Sequence, residues 1–274
     1  MCRPDPLYNE LHSGIKNSED STVRDTYIQV CSAIYNVHYT NITLTFLQQA
    51  LRGCVFQAGD KLSPSIRRTV TGTLLQLLTS GEDVTRSCAA GCLASLMCHL
   101  PEEEQSPIMT DTILLDEAGL DWTVRHGRSS CLAVMMDQSA TTVLTYQEKA
   151  VKIILSLMSA DNVSVVANGV RAAGYLIRHS LQTNAAPPAE IITPFLRCMN
   201  NSSNDVKILV SQMISLIARS QPALLRPELM KPIIPTLING TMEKNSMVSL
   251  KIFFSQNFIN YYRSDLVLNQ LWLM

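Results

Sequence analysis

With 274 residues, 46% of them apolar, the chain has ample material for a continuous core, although composition alone does not separate a stack of repeats from one globular domain. A formal net charge of -1 and a pI near 6.5 exclude the strongly basic footprint of a dedicated nucleic-acid binder. No run of about 18 apolar residues occurs, which argues against a membrane span, and Met1 to Leu11 lacks the apolar run of a signal peptide.

In chain order the apolar spacing predicts helices over 5–16, 20–37, 41–57, 64–79, 83–100, 103–116, 122–136, 145–159, 163–181, 188–200, 205–219, 228–239 and 246–260. Val166, Val170, Ala173 and Ile177 make one helical face; Val206, Leu209, Val210, Met213, Leu216 and Ile217 make another. No segment sustains a period-two alternation bounded by turn signals, so no sheet is expected.

The helices fall into pairs, and the second member of most pairs opens on an acidic or amide residue, then a β-branched one, often followed by a basic one. Asp20 to Arg24, Asp83-Val84-Thr85-Arg86, Asp121-Trp122-Thr123-Val124-Arg125, Asp161 to Val165, Asp205-Val206-Lys207 and Asn245 to Val248 are the successive starts. From Thr85 onward they recur roughly every 40 residues, the period of HEAT repeats and longer than that of tetratricopeptide or ankyrin repeats. The Asp or Asn is expected to cap the second helix, the β-branched residue to enter the seam, and the arginine to reach a neighbouring repeat. Pro187, Pro188, Pro232 and Pro235 sit near the starts of first helices, where a missing N–H costs little; Pro194 and Pro235 are expected to kink theirs. The expected fold is an all-α solenoid of HEAT or armadillo-type helix pairs, stabilised by stacking.

Residues 1–249 are assigned to the array and 250–274 to a divergent tail that holds Phe253, Phe254, Phe258, Tyr261, Tyr262 and Trp272. Between Val23 and Thr85 the spacing stretches by about half a period, and an insert over 30–46 explains it. Both stretches are expected to be products of the gene model or splice form.

Sites of chemistry are sparse. Trp122, Arg125, His126 and Arg128 open one helix and could contact a protein partner or ribosomal RNA; the preferred reading is that Trp122 packs in the seam while Arg125 tethers the adjacent repeat. Cys88, Cys92, Cys98 and His99 invite a zinc reading, but Cys98 and His99 point to different sides of one helix, and core thiols explain them better. All eight cysteines are read as reduced, buried thiols of a cytosolic protein. Glu102-Glu103-Glu104 suits the positive end of a helix. There is no phosphate-binding glycine loop, H-E-x-x-H, G-x-S-x-G or paired-acid arrangement, so no catalytic residue, cofactor or metal is expected.

The run Gly119 to Ser129, with Glu82 to Arg86 and Ala89 to Leu93 before it and Asn168 to His179 and Lys231 to Pro235 after it, resembles the general control non-derepressible protein 1 family. The likeness covers most of Asp5 to Val248 apart from the insert. It implies a segment near the C-terminal end of a long cytosolic solenoid that monitors stalled ribosomes. It also implies binding to the RWD domain of the kinase that phosphorylates the α subunit of translation initiation factor 2, and activation of that kinase. Ribosome contact would fall mainly to the upstream array, and neither membrane nor DNA is an expected partner. Two other classes use comparable helix arrays: the tubulin-binding TOG module, which would need an exposed tryptophan with basic residues, and transport-receptor solenoids. Trp122 looks buried at its helix start, which argues against the TOG reading.

Overall fold

The computed structural model describes residues 63–115 and 119–220, with side chains to 217. The predicted insert, the aromatic tail and every helix before 64 or after 220 lie outside the described residues. Among those described there are helices and no strand. They belong to two compact units divided between Thr142 and Val143.

In the first unit α1 (Pro64–Leu77) starts as its sequence dictates: Ser63 caps it, accepting from the Ile66 amide, and Pro64 takes the first position. α2 (Asp83–Met97) packs between α1 and α4 (Trp122–Gln138). Ala89, Ala90 and Ala94 let α2 approach its neighbours closely, and Leu93, Leu96, Met97, Leu132, Met135 and Met136 fill the space around them. Each large apolar side chain so enclosed contributes about 1.5–3 kcal/mol relative to exposure.

α3 (Glu102–Ile108) begins with three carboxylates in its first turn, as expected, and one of them, Glu104, pairs with Arg67 of α1 at 3.3 Å. Pro107 lies inside it, and the helix widens into a π turn over Met109–Ile113, closed by the Leu114 amide on the Met109 carbonyl. The predicted 103–116 helix is therefore two kinds of helix joined end to end. Gln105 donates its side-chain amide to the carbonyls of Met97 and Leu100 at 2.9 and 2.7 Å, sealing the end of α2.

α5 (Ala140–Leu144) is a short helix that the periodicity missed. In the second unit α6 (Gln147–Met158) pairs with α7 (Val163–Gln182), α8 (Ala189–Arg197) lies against both, and α9 (Asn204–Ser220) packs on α7 and on the turn that follows α8. The second helices α7 and α9 lie side by side, as α2 and α4 do in the first unit. Pro188 stands just before α8 and Pro194 falls within it, after which the chain tightens into a 3₁₀ turn at Cys198–Asn200. Asn184, with φ of 56°, adopts the left-handed conformation in the turn after α7. Of the two predicted faces, Val166, Val170, Ala173 and Ile177 are all buried; on α9 Val206, Val210, Met213 and Ile217 are buried, and Leu209 and Leu216 are partly covered.

The capping expectation holds where the acidic or amide residue stands one place before the helix. Asp121 accepts from the Thr123 amide at 2.7 Å, and Asn162 accepts from Ser164 and Val165 at 3.0 and 3.3 Å. Asp83 and Asp205 instead lie in the first turns of their helices, and Asn162 rather than Asp161 holds the cap of α7.

Candidate functional site

A glycine sets how closely α4 can cross α1. A side chain at Gly127 of α4 would place its Cβ 2.0 Å from the Leu78 carbonyl oxygen at the end of α1, so only glycine fits. The close crossing brings the first turn of α4 against the Ser80–Asp83 turn that leads into α2, and Arg86 fills the gap between them.

Arg86 is 1% exposed. Its Nη1 donates to the carbonyls of Ser80 and Gly81 at 2.7 and 2.8 Å, its Nη2 to Asp83 Oδ1 at 3.1 Å and its Nε to His126 Nδ1 at 3.2 Å. A guanidinium so enclosed is tolerable because its N–H groups are met by carbonyls, a carboxylate and an imidazole. In that contact the arginine Nε–H is the donor and His126 Nδ1 the acceptor. Asp83 Oδ1 also lies 3.4 Å from the same nitrogen. The open face of the guanidinium is covered by the Trp122 ring, 5.1 Å from its centroid.

The four residues singled out in the sequence thus part company. Trp122 is 47% exposed: the expectation that it is buried in the seam is corrected, because the first helical position after the Asp121 cap looks outward and only the ring's inner face meets Arg86. Val163, at the same position after the Asn162 cap, is likewise exposed. His126 is buried, against Arg86. Arg125 and Arg128 are half-buried, with Arg128 Nη1 enclosed. Arg86 tethers a neighbouring repeat through His126, and it stands four residues after the Glu82 cap position, as Arg125 stands four after Asp121. Asp121 is held below the usual carboxylate range by its hydrogen bonds from the Thr123 hydroxyl and amide, helped by the charge of Arg86.

The cysteines are placed as core thiols, with one correction. Cys88, Cys92, Cys131 and Cys198 are buried, whereas Cys98 is exposed at the end of α2. Burial pushes the Cys131 thiol up to about 12 and Cys198 up to about 11, so neither is a nucleophile at neutral pH. No group of three or more metal-ligating side chains gathers among the described residues.

The repeated helices agree with the comparisons to known proteins. The family model for stalled ribosome sensor GCN1-like HEAT repeats matches residues 30–251. The chain belongs to that family. It is 34% identical to the human stalled ribosome sensor GCN1 and 30% identical to the mouse protein, each over 93% of this chain. The Arabidopsis thaliana protein ILITYHIA is 20% identical over 81% of it. The chain spans only 9% of the length of either mammalian relative. Among solved structures, a computationally designed armadillo repeat protein aligns with 91% of this chain and 98% of its own, at 16% identity and a TM-score of 0.46. No described helix is long and apolar enough to cross a membrane.

Proposed function

We propose that this segment is a non-enzymatic docking scaffold of the stalled-ribosome response, acting in the cytosol. It binds the RWD domain of the kinase that phosphorylates the α subunit of translation initiation factor 2 and so relieves that kinase's inhibition. The match to GCN1-like HEAT repeats over 30–251 carries the reading. The described residues support it by what they offer: helical faces, and core thiols that burial holds protonated. Activation is by association, so affinity is spread over several surface residues rather than a pocket. Ribosome contact belongs to the rest of the array.

Calorimetric titration of the whole chain with the isolated RWD domain tests this. Saturable binding by a chain that melts cooperatively supports it; no binding by such a chain moves docking elsewhere and leaves the segment as a structural spacer. The exposed ring of Trp122 is the feature a TOG-like tubulin module would also show. Arg86, the cation against the ring, is buried beneath it, however, so it is not offered to a partner as that reading needs.

A further inference from the structure

Trp122 is an unusual surface residue because its position is fixed from below. The inner ring face rests on a guanidinium that is itself held by Ser80, Gly81, Asp83 and His126. The ring therefore loses little freedom when something covers its outer face, which is how aromatic anchors of protein interfaces gain affinity. Around it the charge is unbalanced. Asp121 is the preceding residue, and Asp83, with 67% of its side chain exposed, reaches the same guanidinium. The described residues of this unit carry eight acidic side chains against five arginines and no lysine. Arg125, one turn along α4, is half-buried and offsets part of that charge locally.

We propose that the outer face of the Trp122 ring, beside Asp121 in the chain and with Asp83 on the guanidinium beneath it, receives an arginine or lysine side chain from a protein partner. The partner's side chain repeats outside what Arg86 does inside: a cation lies over the ring while a carboxylate meets its N–H groups. This builds on the docking reading above and names the partner chemistry at one point of that surface. Nucleic acid is disfavoured there, since phosphates would meet the two carboxylates.

The chain has two tryptophans, so Trp272→Phe leaves Trp122 as the sole indole reporter. In that background an arginine-rich peptide is expected to change the fluorescence saturably. A glutamate-rich peptide of equal length and an RNA oligonucleotide are expected to do so at least about tenfold more weakly. Asp121→Asn, which keeps a capping side chain, should weaken the arginine-rich peptide about two- to fivefold, the range of an exposed ion pair. No saturable change with the arginine-rich peptide, or an equal response to RNA, overturns the proposal. A parallel titration with the RWD domain separates the two readings. Loss of about tenfold or more in Trp122→Ala, with Trp122→Phe near wild type and melting preserved, supports the docking point. Equal binding by wild type and Trp122→Ala overturns it while the docking scaffold stands. If wild type fails to bind the RWD domain but the peptide response persists, the partner assignment falls and the docking point survives.

Discussion

Second helices in the two units occupy the same register after their caps yet hold their neighbours in opposite ways. Four residues past Glu82 stands Arg86, fully enclosed and spending its N–H groups on Ser80, Gly81, Asp83 and His126. Four residues past Asn162 stands Val166, 2% exposed and apolar. A repeat position can thus be filled by a hydrogen-bonded cation or a plain hydrocarbon, provided every polar atom brought inside finds a partner. The polar version fixes geometry, since the guanidinium fits one arrangement of acceptors.

The comparison breaks most visibly at Arg86. Arg86→Ala should cost about 3–5 kcal/mol, because two turn carbonyls and His126 lose their donor inside the protein. Val166→Ala, losing only methyl groups, should cost about 2 kcal/mol; denaturant unfolding followed by circular dichroism measures both. Next come the close crossings. Gly127→Ala meets the Leu78 backbone and should destabilise by about 2–3 kcal/mol, whereas Gly174→Ala in the second unit meets the side chain of Met213, which can swing aside, and should cost under about 1.5 kcal/mol. The smallest effect is in the caps. The Asn162 amide does not titrate, while Asp121 is ionised in the folded chain to below its ordinary value of 3.8. Its stabilisation is therefore present above that value and lost as pH falls through the lower folded one. Asp121→Asn should flatten the acid dependence of the melting temperature in the range below about pH 4, and Asn162→Asp should steepen it.

The helices were legible because their apolar faces repeat: Val166, Val170, Ala173 and Ile177 needed only spacing to be placed in a core. Ala140–Leu144 was not, being too short for a period and rich in β-branched residues. Nor was the π turn, which follows Pro107 in a run whose apolar spacing still reads as one helix. The site was half legible. The run around Trp122 drew notice, but choosing between two arginines at equal distance from their caps required knowing which one has a histidine across the seam. Arg86 has His126, 40 residues later. That pairing is set by stacking, and no local pattern announces it. Thr85-Arg86 following the Ser80-Gly81 turn was the available signal, since two turn carbonyls beside a helix start call for a donor.

Gln105 carries a consequence for how this array can vary. One side-chain amide grips both Met97 and Leu100, so the few residues between α2 and α3 are measured against a fixed reach. An added residue there would have to release one carbonyl or drag the next helix with it. The turn after α7, built around Asn184 in a left-handed conformation, is held instead by backbone bonds and the Thr183 hydroxyl to its own helix. Length polymorphism among related arrays should therefore collect at turns of the second kind, and those gripped by an amide from the following helix should keep their length.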